Sequence, residues 1–271
     1  MQDAPLISII TVVLNEKKGL QRSIESIVQQ GYSRLEHIVI DGGSTDGTLD
    51  VIRAHEKEIG YWISEPDRGI SHAINKGITS AGGDLIAILN AGDWYEPNTL
   101  QMVAGAHQAH PEAEVLCGAL RFWERGEPTI VAYSNPARLD KETSVYHPAV
   151  FIKKTAYEKY GLYDEGFEFA MDYELLLRFK RRGARFIALD TVLANMSLDG
   201  ISNRHWYRGL REVRKARSAY FGFPDVIYRH SLAVIKNVGA RLLKRSGLRV
   251  LYEKHWELKS RSFASRARGE E

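Results

Sequence analysis

The sequence has one cysteine, Cys117, and lacks the long apolar runs of membrane-spanning proteins. A single cysteine excludes an intramolecular disulfide framework and a cysteine-based zinc site, so we expect Cys117 to be a buried apolar residue. No 18 consecutive residues are apolar and uncharged, which excludes a transmembrane helix. The N-terminus has no basic region followed by a separate apolar stretch, so a secretory signal is not expected. These absences predict a cytoplasmic protein.

Several common active-site signatures are missing as well. The loop after the first predicted strand is Leu14-Asn15-Glu16. It contains neither the G-x-G-x-x-G pattern of dinucleotide sites nor the G-x-x-x-x-G-K-[ST] pattern of phosphate-binding loops. The chain also has no G-x-S-x-G elbow and no H-E-x-x-H zinc motif. A common NAD site is therefore disfavoured, and a phosphate-binding loop of the nucleotide triphosphatases is excluded.

The composition is that of a globular protein with an uneven charge distribution. The 271 residues are 44% hydrophobic and 26% charged, which favours one large α/β domain, or one domain with a tail. Residues 1–200 carry 20 Lys and Arg against 28 Asp and Glu, whereas residues 201–271 carry 17 against 6. An acidic body with a basic tail indicates either an anionic partner for the tail or a solvated basic surface.

Strands and helices alternate over the first 110 residues. Apolar runs at 6–13, 35–40, 60–64 and 84–89 predict buried strands, and each is followed by a helical pattern. This alternation is typical of a mostly parallel sheet with helices on both faces. Beyond it, we predict strands at 114–123, 128–133, 147–152 and 185–189, a helix over 171–182, and a helical, basic segment from about residue 204.

Acidic residues follow three of the four predicted parallel strands. The sequence has Asp41 after the second strand, Asp67 after the third and Asp93 after the fourth. In open α/β sheets ligands bind at the carboxyl ends of the strands, so this clustering favours a polar ligand or a cation.

The order of these segments resembles glycosyltransferase family 2. The resemblance rests on PLISIITVVLNE, IVIDGGSTDGT, SEPDRGISHAINKGI and GDLIAILNAGDW, followed by HPAVF, AMDYELLLR and LDGIS, and it covers residues 5–202. It implies a GT-A fold, a Rossmann-like and mostly parallel sheet flanked by helices. The expected domain spans residues 1–203, with a nucleotide-sugar half at 1–110 and an acceptor half at 111–203. A helical basic extension would cover residues 204–271. The NAGD variant is similar to transferases of bacterial polysaccharide biosynthesis.

The resemblance places the donor nucleotide at the ends of the first three strands. Asp41 would accept the imide N–H of a uracil-like base, which favours a UDP-sugar, and Thr11 and Asn15 would line the same pocket. From the residues alone, Asp41 could instead cap its own turn. Asp67 and Arg68 would lie near the nucleotide, or could form a local ion pair. Lys76 would either offset the diphosphate charge or be solvated.

A divalent cation is expected beside the diphosphate. Asn90-Ala91-Gly92-Asp93 occupies the position of the family's metal motif, which usually ends in two adjacent acids. Here Gly92 replaces the first acid, and Asp93 alone would hold Mn²⁺ or Mg²⁺, with the donor phosphates supplying further ligands. The missing acid weakens the expected metal affinity. A structural alternative for Asp93 is an N-cap.

Asp172 is the candidate general base, and His147 is a candidate ligand of the acceptor or the phosphates. Asp172 lies above the apolar face formed by Leu175, Leu176 and Phe179, and the resemblance implies that it deprotonates an acceptor hydroxyl. An N-cap is the structural alternative for Asp172. A hydrogen-bonded core histidine is the alternative for His147.

The expected function is therefore an inverting transfer of a sugar from a nucleotide-diphosphate sugar to a glycan or lipid-linked hydroxyl. A nucleotide-binding scaffold without catalysis and a sugar nucleotidyltransferase are the alternatives. Apolar residues alternate with basic ones over 232–245, which favours contact with an anionic membrane surface at the inner face of the cell membrane. Packing on the domain or on a second copy in a homodimer is the alternative. Nucleic-acid binding is not expected, because the tail matches no known module.

Overall fold

The computed structural model describes residues 4–198 and 205–245. Nine strands in this part of the chain form one sheet. They are β1 (Ile7–Val13), β2 (Leu35–Asp41), β3 (Tyr61–Ser64), β4 (Leu85–Ile88), β5 (Trp94–Tyr95), β6 (Val115–Glu124), β7 (Glu127–Ala132), β8 (Val150–Lys153) and β9 (Phe186–Ser197). The LDGIS motif lies largely outside the described residues, as does the end of the basic extension.

The sheet has a parallel half and a mixed half. Its strand order is β3-β2-β1-β4-β8-β6-β9-β5, and β7 pairs with β6. The first four strands in this order are mutually parallel, whereas β8 runs antiparallel to both β4 and β6. In the central strands Ile7 pairs with both Leu35 and Leu85, so β1 has a neighbour on each side. All seven residues of β1 are buried, which accounts for its mainly apolar sequence.

Helices cover both faces of the sheet. They are α1 (Lys17–Val28), α2 (Thr48–Ala54), α3 (Ile70–Ser80), α4 (Thr99–Ala109), α5 (Lys154–Tyr160), α6 (Met171–Arg181), α7 (Trp206–Ser218) and α8 (Phe223–Arg245). Apolar residues of α3, α5 and α6 form a core with one face of the sheet. Those of α1, α2 and α4 pack in two clusters on the other face.

The elements agree with the predicted order apart from local differences, one of which is the two-residue strand β5, which was not predicted. Residues His147–Ala149 form a 3₁₀ turn, so β8 begins only at Val150. The last strand, β9, extends to Ser197 because it pairs along β6. Helix α5 has no counterpart among the predicted elements. Within residues 4–198 and 205–245, no helix is both long and apolar enough to cross a membrane.

His37 is a fully buried polar side chain of the central sheet. Its Nε2 lies 3.0 Å from the Thr11 hydroxyl. Burial, with a smaller contribution from His55, lowers the pKa of His37 to about 3. The folded protein therefore holds His37 neutral under conditions in which the unfolded chain would protonate it.

We expect His37→Gln to reduce the loss of stability on mild acidification. His37 has an ordinary pKa of 6.5, so its neutral form stabilises the fold fully above pH 6.5. That contribution is lost as the pH falls, by about 1.4 kcal/mol per unit. Urea unfolding at pH 6.5 and pH 5 should show a smaller decrease for His37→Gln than for the natural protein. The control is His110→Gln, at a half-exposed site, which should keep the natural decrease. An unchanged decrease in His37→Gln would contradict the buried neutral state.

Candidate active site at the carboxyl edge of the sheet

Asn15 joins the loops that follow β1 and β2. Its backbone N–H donates to the Ser44 hydroxyl at 2.7 Å, and its Oδ1 accepts from the Thr45 backbone N–H at 2.8 Å. Asn15 has φ 52°, a left-handed conformation that asparagine tolerates better than most residues. The side chain is exposed at the carboxyl edge of the sheet, where a donor nucleotide was predicted. Asn15 therefore lies at the predicted pocket and fixes the relative position of its two loops.

Asp41 is fully buried and holds the loop after β2. Its Oδ2 accepts from the backbone N–H groups of Gly43 and Ser44 at 3.1 and 3.0 Å, and from the Ser64 hydroxyl at 2.5 Å. Its Oδ1 accepts from the Ser44 hydroxyl at 2.5 Å. These contacts correspond to the turn-capping alternative. Contact of Asp41 with a base stays a prediction.

Thr11 lies inside the sheet rather than at the open edge. It has no exposed surface, and its hydroxyl faces His37. This buried position does not match the predicted role of Thr11 as a residue that lines the donor pocket. Both faces of β1 are covered, so Thr11, a polar residue within the strand, lies in the interior.

The loop after β3 supplies a half-buried acid. The Oδ1 of Asp67 accepts from the backbone N–H of Gly69 at 2.8 Å. A Cβ added to Gly42 would lie 2.7 Å from the Asp67 Oδ2, so the two loops approach each other closely only because residue 42 is glycine. Asp67 is thus brought to the loop that Asp41 holds.

Both predicted cations of this region are paired with acids. Arg68 Nη2 donates to Glu165 Oε2 at 2.9 Å, and the Arg68 side chain is 70% exposed. Lys76 Nζ donates to Glu65 Oε1 at 2.7 Å, and its side chain is 20% exposed. Either cation would have to exchange its acid for a phosphate in order to bind one. The exposed Arg68 can do so at lower cost, because surface ion pairs are weak.

Side chains of α1 hold the loop that carries Asp93. Ser23 donates its hydroxyl to the Asp93 carbonyl oxygen at 2.6 Å and accepts from the Gly92 backbone N–H at 3.1 Å. The Arg22 guanidinium donates to the Gly92 carbonyl and stacks 3.7 Å from the centroid of the Trp94 ring. Gly92 has φ 103°, which strains any side chain placed there. The backbone that presents Asp93 therefore suits the glycine that replaces the usual first acid.

His147 lies between the two carboxylates that the sequence singled out. Its Nε2 is 3.8 Å from the Asp93 Oδ2, and its Nδ1 is 3.7 Å from the Asp172 Oδ2. The Asn90 amide nitrogen lies 3.1 Å from the same Nε2. Asp93 follows β4, His147 begins the turn before β8, and Asp172 lies in the first turn of α6. Three distant segments thus meet in one cluster, the Asp93–His147–Asp172 cluster.

Burial and charge set the proton affinities of this cluster. Burial raises the pKa of Asp93 to about 7, against the opposing attraction of His147 and Arg22. Burial lowers the pKa of His147, but its attraction to Asp172 and Asp93 outweighs burial and raises that pKa above the ordinary value. The two acids therefore favour the protonated form of His147, whereas the Asn90 amide nitrogen, a donor 3.1 Å from Nε2, fits a ring whose Nε2 accepts.

A cation at Asp93 would have few protein ligands. The Asn90 Oδ1 is buried and accepts no hydrogen bond from the described residues, so it is a hard oxygen free to bind a cation. Across residues 4–198 and 205–245, no three His, Cys, Asp or Glu side chains converge as metal ligands. Asp93 and Asn90 fit a divalent cation only if phosphate and water oxygens complete its coordination.

Sequence reasoning missed three residues that shape the site. Ser23 and Arg22 hold the Asp93 loop from α1, and Glu212 of α7 binds the backbone before Asp172. Ser23 has one sequence signal, since it is a polar residue on the otherwise apolar face of α1. Glu212 has none, because its contact depends on how α7 packs.

Comparisons with known proteins show the family of the chain. The family model for "Glycosyl transferase family 2" matches residues 8–171. An uncharacterized glycosyltransferase of Mycobacterium tuberculosis is 36% identical over 190 residues, which cover 66% of this chain and 70% of that protein.

Two solved structures are similar in fold. Staphylococcus aureus TarS residues 1–349, in complex with UDP-GlcNAc, gives a TM-score of 0.63 at 16% identity, covering 78% of this chain and 66% of that one. This chain spans only 39% of the longer TarS chain. A mannosyltransferase of Pyrobaculum calidifontis, in complex with GDP-Man and Mn²⁺, gives a TM-score of 0.64 at 17% identity, covering 96% and 84%. The predicted GT-A fold is confirmed.

We expect Asp93→Asn to gain stability relative to the natural protein as the pH rises. The folded-state pKa of about 7 exceeds the ordinary 3.8, so the stability that protonated Asp93 contributes is full below pH 4 and is lost towards pH 7. Asparagine does not titrate. In metal-free buffer, urea unfolding gives the free energy of unfolding of each protein. The difference between the two should shift by roughly 2 kcal/mol in favour of Asp93→Asn from pH 5 to pH 8. A difference independent of pH would mean that the carboxyl group titrates normally.

Proposed function

This chain belongs to glycosyl transferase family 2, and we propose that it transfers a sugar from a nucleotide-diphosphate sugar to a hydroxyl group with inversion at the anomeric carbon. The Asp93–His147–Asp172 cluster carries this proposal. It sets a candidate cation ligand and a candidate base on either side of one histidine, at the sheet edge where α/β proteins bind ligands. Such an arrangement can hold a diphosphate and an attacking hydroxyl close together.

We place the donor nucleotide over the loops after β1, β2 and β3. Asn15 and Asp67 lie at this edge, whereas Asp41 acts chiefly by holding the loop that the base would meet. A uracil base, and hence a UDP-sugar, remains the favoured donor. The TarS structure with UDP-GlcNAc supports a uridine donor, and the mannosyltransferase with GDP-Man shows that this fold also takes guanosine donors. Arg68 and Lys76 are the candidate cations for the diphosphate.

We propose that Asp93 and Asn90 hold Mn²⁺ or Mg²⁺ together with the donor diphosphate. The Mn²⁺ in the mannosyltransferase complex supports a divalent cation in this fold. When bound, such a cation stabilises the negative charge of the departing diphosphate. Because the pKa of Asp93 is raised, its side chain is ionised, and so able to bind a cation, mainly near or above pH 7.

In the proposed reaction Asp172 removes the proton from the acceptor hydroxyl. The acceptor oxygen forms a bond to the anomeric carbon as the bond from that carbon to the phosphate oxygen breaks, and the nucleoside diphosphate leaves. The proton ends on the Asp172 carboxylate. His147, which faces Asp172 on one side and Asp93 on the other, orients the base.

We assign the acceptor to the half of the protein formed by residues 111–203, and a glycan or a lipid-linked glycan is the proposed class. The extension from residue 204 would bring the enzyme to the inner face of the cell membrane. Its helix α8 exposes Phe223, Ile235 and Leu242 at 77%, 68% and 60%, alongside basic residues. These apolar side chains support either a peripheral membrane contact or a homodimer contact.

A non-catalytic, nucleotide-binding scaffold is the second candidate. Gly92 in place of an acid and the single carboxylate at the cation site favour it. A scaffold would bind nucleoside diphosphates without releasing sugar from any donor. A sugar nucleotidyltransferase would instead release pyrophosphate from a nucleoside triphosphate.

We expect a nucleoside diphosphate to raise the melting temperature only when Mn²⁺ is present. At about 100 times its Kd, a ligand selective for the folded state should raise Tm by roughly 5–10 °C. The screen compares UDP, GDP and dTDP with and without Mn²⁺, and the shift should be largest for UDP. Asp93→Ala should lose the Mn²⁺ effect, while Glu158→Ala, at an exposed residue of α5, should keep it. A full Mn²⁺-dependent shift in Asp93→Ala would reject the cation site.

We expect Asp172→Asn to lower kcat by about 10²–10⁴, the usual range for a lost general base. Nucleotide release is followed with the donor selected by the thermal screen. The KM for the donor should change little, because Asp172 faces the acceptor oxygen. Glu112→Gln serves as the charge control, because Glu112 is an exposed acid that lies far from Asp172 in the sequence. Normal turnover in Asp172→Asn would show that another group takes the proton.

A further inference from the structure

Helix α6, which carries Asp172, begins without a capping side chain of its own. Ala170 occupies the N-cap position and supplies no side-chain hydrogen bond. The first N–H groups of a helix have no partner within the helix and need one from elsewhere. The start of the helix that positions the proposed base therefore depends on another element.

Glu212 of α7 supplies a partner for the N–H of the N-cap residue Ala170 and for the two N–H groups before it. Its Oε2 accepts from the backbone N–H groups of Phe169 at 2.7 Å and Ala170 at 2.8 Å. Both of its oxygens lie 3.1 Å from the N–H of Glu168. One carboxylate thus binds three consecutive peptide groups just before Met171. Hydrogen bonds to a charged acceptor are about twice as strong as neutral ones, and a negative charge is favoured at a helix N-terminus.

Arg217 anchors the same helix on the other side of Asp172. Arg217 is 2% exposed, and its Nη1 lies 3.3 Å from the Tyr173 hydroxyl. It also donates to the carbonyl of Asp140 and pairs with Asp225 of α8. The Tyr173 hydroxyl in turn donates to the Leu139 carbonyl at 3.0 Å. Tyr173 therefore has little freedom to move.

A third contact from α7 holds the approach to the helix. Lys215 Nζ donates to the Gly166 carbonyl at 3.1 Å and lies 4.2 Å from the centroid of the Phe167 ring. Contacts from this one helix thus fix residues on both sides of Asp172, at 166–170 and at 173. The Asp172 Oδ1 accepts from the Tyr173 backbone N–H at 2.7 Å, and its Oδ2 lies 3.7 Å from the His147 Nδ1.

We infer that Glu212 is a positioning residue for Asp172, so that helix α7 of the basic extension is part of the catalytic machinery rather than only an attachment. This inference rests on the proposed function, in which Asp172 is the base. Without the Glu212 carboxylate, three N–H groups lose their acceptor, and the first turn of α6 loosens. A displacement of about 1 Å at a reacting group can cost up to about 100-fold in rate.

The test compares Glu212→Gln and Glu212→Ala with the natural protein. Glu158→Gln is the matched control, because Glu158 is exposed and its side chain makes no hydrogen bond or ion pair with the described residues. We expect kcat for nucleotide release to fall about 10-fold or more in Glu212→Ala and less in Glu212→Gln. Donor KM and the nucleotide-induced rise in Tm should stay within about twofold. Glu212→Gln, which keeps the shape of the side chain, provides the measurement if Glu212→Ala does not fold.

The double variant Asp172→Asn/Glu212→Ala separates positioning from general loss of structure. If Glu212 acts through Asp172, the double variant should be no slower than Asp172→Asn alone. Losses that multiply would overturn the inference, as would a folded Glu212→Ala with natural kcat. Normal turnover in Asp172→Asn would overturn the inference together with the assignment of the base.

Amide hydrogen exchange of the segment 166–173 provides a readout that does not need activity. We expect faster exchange there in Glu212→Gln and natural exchange in Glu158→Gln. If the natural protein shows no transfer with any donor, the proposed function fails, while the exchange data still decide whether Glu212 holds the helix. Unchanged exchange in Glu212→Gln would overturn the inference on its own.

Discussion

The attraction between His147 and its two flanking carboxylates is the interaction on which the site depends. Asp93 and Asp172 belong to different halves of the chain and approach each other only through this histidine. Two partly buried acids this near would repel each other if nothing lay between them. A histidine with a raised pKa offsets that repulsion and fixes both side chains. This contact between distant segments lies at the same place where the chemistry is proposed.

Holding a carboxylate in the interior has a cost that the fold tolerates for function. Asp93 is 7% exposed, and burial dominates its shift in pKa. Ser23 and Arg22 bind the backbone of its loop but do not neutralise the carboxylate fully. Such incompletely compensated charges cluster at functional sites, where a ligand or a cation completes the interaction. Asp41 is the contrast, since it accepts four hydrogen bonds within the protein.

The basic extension has two parts with different relations to the domain. Helix α7 contributes Glu212 and Arg217 to the surroundings of α6, which carries the proposed base. Helix α8 pairs its Asp225 with Arg217 near its start and then exposes large apolar side chains along the rest of its length. If α8 contacts a membrane or a second copy, α7 is the mechanical link between that contact and Asp172.

The sequence by itself determined the helices and strands that follow from local residue preferences or from the spacing of apolar residues. The apolar runs of β1, β2 and β4 could only be buried strands, and the spacing of Leu175, Leu176 and Phe179 fixed helix α6. The same reasoning placed acids at the ends of the strands, because parallel strands present their carboxyl ends at one edge. The family resemblance supplied the roles of these residues.

Tertiary structure decided which polar groups each side chain meets. Asp41 turned inward to its own loop, and Thr11 turned towards His37, because the burial of β1 and β2 leaves those side chains no open surface. His147 lies beside both acids because β8 pairs with β4. Glu212 reached the N-terminus of α6 from 40 residues further along the chain. Such contacts depend on packing across long sequence separations, and hydrophobic period and residue type carry no information about them.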